Sequence, residues 1–104
     1  MKIDFNSDKG FTIVSIHEAV EVKDFYSVAD VLGEKFDAEF EGQIDDFDSV
    51  YLDLKIEGIN FTLCYSNFFG TELYCQSGKS FKKEEDDKLL NVAEKLKEIN
   101  LHGT

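Results

Sequence analysis

The stretch VYLDLKIEGINFTLCYSNFFGTELYC, residues 50–75, decides the fold. Val50, Leu52, Leu54 and Ile56 fall on one side of an extended chain and Tyr51, Asp53, Lys55 and Glu57 on the other, the period of a strand with one wet face. Glu57-Gly58 offers a tight reversal, after which Ile59, Phe61, Leu63 and Tyr65 resume the alternation against Asn60, Thr62, Cys64 and Ser66. A second reversal at Asn67-Phe68-Phe69-Gly70 leads into TELYC. Together these segments predict a three-stranded antiparallel meander. Upstream, Ala38, Phe40, Gly42 and Ile44 alternate with Glu39, Glu41 and Gln43. That pattern allows a fourth strand over 38–44, with Asp45-Asp46-Phe47-Asp48-Ser49 as its hairpin loop. On such an alternation the acidic side chains form one continuous strip.

Outward from the meander, KIDF and FTIVSI are short runs rich in Ile, Phe and Val, separated by the turn formers Asn6-Ser7-Asp8-Lys9-Gly10, and they read as an N-terminal hairpin. Phe25, Val28, Ala29, Leu32 and Phe36 recur at three and four residues, which predicts a helix over 25–36 with Asp24 as its N-cap. Gly33 inside it either ends the helix early or permits close packing, because glycine costs about 1 kcal/mol in a helix interior. A second helix follows, with Ser80 as cap, Glu84, Glu85, Asp86 and Asp87 near its positive end and Lys88, Lys95 and Lys97 later. Leu89, Val92, Ala93, Leu96 and Ile99 form its apolar stripe, and His102-Gly103 reads as its exit, with His102 against the helix dipole. The order predicts one α+β domain over 1–104: an antiparallel sheet, built from the N-terminal hairpin plus a three- or four-stranded meander, with two helices packed on one face.

At 104 residues the chain is close to the usual size of one domain. Its ten Phe, against four Tyr and no Trp, predict a Phe-rich, dry core. Arg is absent, all eleven positive charges are lysines, and the pI is near 4.4, which argues against direct binding of nucleic acid. No run approaches the ~18 apolar residues of a membrane span, and MKIDFNSDKG lacks the apolar run of a signal peptide, so a cytoplasmic protein is expected. Cys64 and Cys75 are then expected as free, half-buried thiols. A net charge of −11 favours a soluble monomer.

The charge is not evenly spread. Residues 37–57 hold eight carboxylates against the one lysine Lys55, a net of −7 out of −11. A calcium loop begun at Asp46 would use Asp48 and Glu57 at its third and twelfth positions. It fails at Val50 and Tyr51, where a ligand and a glycine belong. Weak binding by Asp45, Asp46 and Asp48 stays open, and no cofactor is expected. Carboxylate-pair hydrolysis would need two converging acids, whereas Asp53 and Glu57 on one strand face lie about 13 Å apart. Cross-strand acid pairs also stay open. His17 is the one internal histidine, and no nucleophile elbow, phosphate loop or dinucleotide fingerprint accompanies it, so it reads as a strand-end histidine. A surface for a basic partner is the remaining chemistry. Its candidate residues are Glu39, Glu41, Asp45, Asp46, Phe47, Asp48, Tyr51 and Asp53, with Phe47 and Tyr51 as aromatic anchors. Phe47 folded back as a core plug is the equal alternative.

The size, the ββα-meander-α order, the acidic segment EFEGQIDDFDS (39–49) and the absence of a catalytic motif resemble the small acidic immunity proteins of bacterial toxin–immunity pairs, including those of contact-dependent growth inhibition and other polymorphic toxin systems. The resemblance covers the whole chain in form and transfers no individual residue. It implies a non-enzymatic cytoplasmic protein that neutralises one basic toxin domain, often a nuclease, its acids standing in for the phosphates such a domain grips. A small adaptor or regulator that uses the sheet edge or the second helix is the alternative.

Overall fold

The computed structural model describes residues 1–101. The expected His102-Gly103 exit lies outside them. In chain order the elements are β1 (Ile3–Asn6), β2 (Ile13–Ile16), α1 (Val22–Phe36), β3 (Glu39–Asp45), β4 (Ser49–Ile56), β5 (Ile59–Ser66), β6 (Gly70–Cys75) and α2 (Lys83–Lys97), with one 3-10 turn at Gly78–Ser80. The strands form a single antiparallel sheet in the order β1-β2-β6-β5-β4-β3. The N-terminal hairpin therefore adds to the β6 side of a four-stranded meander, as an α+β fold with the expected layout.

Cross-strand partners share a face, so the register sorts every side chain. Val14–Leu73–Leu63–Leu52 forms one row of the covered face, and Cys75–Phe61–Leu54 another. Phe25, Val28, Ala29 and Leu32 of α1 and Leu89, Val92, Ala93 and Leu96 of α2 close over these rows in one cluster. Truncating a filled position such as Leu54, which has no exposed surface, removes both transfer energy and packing, at about 2–5 kcal/mol.

The core is aliphatic, which corrects the expectation of a Phe-rich one. Of the ten Phe only Phe25 and Phe61 are buried, whereas Phe5, Phe40, Phe47, Phe68, Phe69 and Phe81 are exposed. Phe47, Phe68 and Phe69 sit in turns and Phe81 just ahead of α2, while Phe5 and Phe40 share the covered face with Val14 and Leu54 but lie on the two edge strands, where they stay partly open to solvent.

Both helix starts differ from expectation. α1 begins after Glu21, and Asp24 is its third residue: the Asp24 Oδ2 accepts the Glu21 N–H at 3.1 Å, so the side chain caps from inside the first turn. α2 begins after Lys82, whose N–H donates to Glu85 Oε1 at 2.8 Å, while Ser80 belongs to the preceding 3-10 turn. Gly33 stays within α1 and serves close packing, since a Cβ there would lie 3.3 Å from the Phe40 ring.

Candidate functional site

β3 does not keep a simple alternation. Phe40 pairs with Leu54 and the next pair is Gly42 with Asp53, leaving Glu41 as a bulge. One inserted residue reverses every later side chain, so Gln43 and Asp45 join the helix-covered side while Gly42 and Ile44 face the open side. The expected continuous acidic strip is thereby split. At one end Glu39 lies directly across from Lys55, and Glu41 Oε2 is 3.7 Å from the Lys55 Nζ. At the other end Asp45, Asp46, Phe47 and Asp48 gather at the β3–β4 turn. Tyr51 and Asp53 stand between them on the open face, where Asp53 Oδ1 accepts from Thr62 Oγ1 at 3.0 Å.

The β3–β4 turn is built to present its ring. The Asp46 N–H donates to Ser49 O at 2.8 Å, closing the reversal, and the Phe47 N–H donates to Asp46 Oδ1 at 2.8 Å. Phe47 is 102% exposed, so it is not a core plug. The Asn67 N–H donates to Asp48 O at 3.2 Å, which joins this turn to the β5–β6 turn. There Phe68 and Phe69 are 78% and 68% exposed, with ring centroids 6.4 Å apart, and the Phe68 N–H donates to Ser66 Oγ. Three phenylalanines and three aspartates thus share one end of the sheet. Read as a sequence, NFFG (67–70) signals only a reversal, and Phe68 and Phe69 escape notice. Two bulky rings inside a turn were the available signal.

On the open face, Asp4–Ser15–Glu72–Cys64–Tyr51–Ile44 is one continuous row across all six strands. Ile13–Tyr74–Thr62–Asp53–Gly42 runs beside it. Between these rows and the β1–β2 loop lies a cleft of about 190 Å³ lined by Phe11, Ile13, Tyr51, Cys64, Glu72 and Tyr74, with Lys9, Ser49, Ser66 and Phe69 completing it. Phe11 packs edge-on against Tyr74, with centroids 5.9 Å apart. A second concavity of about 200 Å³ shares Lys9, Ile13, Phe69 and Glu72 with the first and adds Asn6 and Asp8.

Burial, reinforced by Glu72 and opposed by Lys9, pushes the Cys64 thiol up to about 11. Burial likewise takes the Tyr74 phenol to about 12, with Cys64, Tyr51, Glu72 and Asp53 adding to the rise. Both groups are held neutral at physiological pH, the opposite of the activation that thiolate or general-base chemistry requires. Cys75 is pushed to about 12, again chiefly by burial. The two cysteines are free, and both are more deeply buried than expected. Cys64 belongs to the open face, paired with Glu72, and Cys75 to the covered face, paired with Phe61, so the sheet itself separates them.

Several other acids have local partners. Asp45 Oδ1 accepts from Gln43 Nε2, which also donates to the Tyr26 hydroxyl on α1. Glu57, in the β4–β5 turn, pairs with Lys88 of α2. His17 is exposed at the end of β2, with Nε2 2.6 Å from Asp4 Oδ2. Among the described residues no three His, Cys, Asp or Glu side chains gather as a metal would require, and no helix is long and apolar enough to cross a membrane. Set against protein-family models, curated proteins and solved structures, the chain matches none.

Proposed function

We propose that this protein is a non-enzymatic inhibitor of the immunity type, which binds a basic protein domain in the cytoplasm and blocks its nucleic-acid groove. The observation that carries this reading is Phe47, wholly solvent-exposed between Asp46 and Asp48 and joined by backbone hydrogen bonding to the turn that bears Phe68 and Phe69. An exposed ring contributes nothing to the core, and aromatic anchors ringed by charge are what a protein interface needs at its centre. The aspartates supply the complement: they attract a lysine- and arginine-rich surface, raise the rate of encounter, and offer the negative charge that a nuclease groove is shaped to receive.

The test is capture with a tagged chain from its source cells, followed by assay of the captured protein. One basic, nuclease-active protein should be retained at low salt and released as salt rises. Its activity should be blocked by the wild-type chain and restored when Asp46 and Asp48 are both changed to Lys. Phe47→Ala should weaken binding by about tenfold or more, the effect of losing a central aromatic anchor. Capture that survives charge reversal but not Phe47→Ala would replace the inhibitor with an adaptor that docks by its rings alone. Turnover of a substrate by the isolated chain would overturn both.

A further inference from the structure

We propose that the aromatic cleft on the open face of the sheet is a receptor for a single arginine side chain presented by the basic partner. The proposal rests on the reading above that the partner is basic, and it assigns a second point of attachment separate from the Phe47 turn.

Size is the first argument. Small-molecule sites generally run from about 300 Å³ upward, and a cleft of about 190 Å³ suits one side chain better than a whole cofactor. The walls are the second. Phe11, Tyr51 and Tyr74 present ring surface, and Phe69 reaches the cleft from the β5–β6 turn, so the cleft is continuous with the exposed aromatic end of the sheet. A guanidinium is flat and weakly hydrated, and it stacks on rings while its five N–H groups stay in plane for acceptors.

Charge is the third. Glu72 lines both concavities, Asp8 lines the second, and Asp53 lies close enough to Tyr74 to oppose ionisation of its phenol. The Ser49 and Ser66 hydroxyls supply further acceptors. Among the described residues Lys9 is the one cation lining either concavity, and its charge is felt at the Cys64 thiol. It sits in the β1–β2 loop on an exposed side chain and acts as the resident cation that an incoming arginine displaces.

The test needs no partner. The full chain, labelled with ¹⁵N, is titrated with Nα-acetyl-arginine N-methylamide and, separately, with the citrulline analogue, which keeps the shape and lacks the charge. Amide resonances of Phe11, Cys64, Glu72 and Tyr74 should shift with the arginine probe and stay still with citrulline. Glu72→Gln should weaken the arginine response about fivefold or more, as expected for loss of a charge-assisted hydrogen bond, and Lys9→Ala should strengthen it. Equal response to both probes, an unaltered response in a folded Glu72→Gln chain, or shifts confined to residues 45–48 would overturn the proposal. Because the Phe47 turn is assayed by partner capture and the cleft by a free probe, failure of one is read separately from failure of the other.

Discussion

The two ends of the meander solve the same problem in opposite ways. At the β4–β5 end the chain reverses in two residues, Glu57 at φ 49° and Gly58 at φ 82°, both in the left-handed region that a tight hairpin with right-handed strand twist demands. Glycine accepts this freely and glutamate does not, and the Glu57 side chain is held by Lys88 of α2, which fastens the turn to the helix layer. At the opposite end two turns carry Phe47, Phe68 and Phe69 into solvent. One end is tied down at the cost of an unfavourable backbone angle. The other gives up burial that three large rings could have provided, which is the difference on which the proposed contact role rests.

The sharpest way to break the contrast is to truncate one ring of each kind. Phe61→Ala, in the covered face, should destabilise the chain by about 3–5 kcal/mol in chemical denaturation, whereas Phe47→Ala should change stability by less than about 0.5 kcal/mol. Comparable losses would mean that Phe47 is packed in solution and that the exposed end is not a contact surface.

A smaller effect is expected where the exposed end is anchored. Gly70 has φ 72°, and a Cβ there would lie 3.1 Å from the Ala19 carbonyl oxygen, the same oxygen that accepts the buried Thr71 hydroxyl at 2.8 Å. Gly70→Ala combines backbone strain with displacement of that oxygen and should cost about 1–3 kcal/mol in the same assay. An unchanged midpoint would show that the β5–β6 turn is free of the β2–α1 connection.

The smallest effect belongs to the tied end. The hydrogen bond and charge of Lys88 hold the Glu57 carboxyl below its ordinary value of 4.5. A lowered folded-state value means that the carboxylate stabilises the fold fully above the unfolded value and loses that contribution as pH falls through the folded one. Glu57→Gln should therefore lower Tm slightly at pH 7, with the difference from wild type shrinking toward zero as the pH drops well below 4.5. The group is exposed, so the change is modest. A Tm difference that stays constant with pH would remove the ion pair from the account.

The central meander was legible because its apolar residues alternate with a period of two over 50–56 and 59–65, even though the structure buries β5 on both faces from Phe61 to Cys64. Its edge strand was legible in outline, over 38–44, but the facing of its second half was not, because every residue of β3 is exposed and no burial pattern discloses the bulge at Glu41. Helix starts slipped for a related reason. Asp24 and Ser80 are both good capping residues by type, yet Asp24 reaches its acceptor position from the third helical residue and Ser80 is consumed in a 3-10 turn.

Sequence by itself determined the α+β layout, the strand pairs of the meander, the helix faces and the excess of negative charge, since all of these follow from local periodicity and composition. Tertiary structure alone decided which rings are buried, how the bulge divides the acids into a group beside Lys55 and an aromatic turn whose aspartates are hydrogen-bonded locally, and which open-face residues assemble the cleft. Those outcomes depend on register between strands distant in the chain, and a shift of one residue in that register sends a side chain to the opposite face of the sheet.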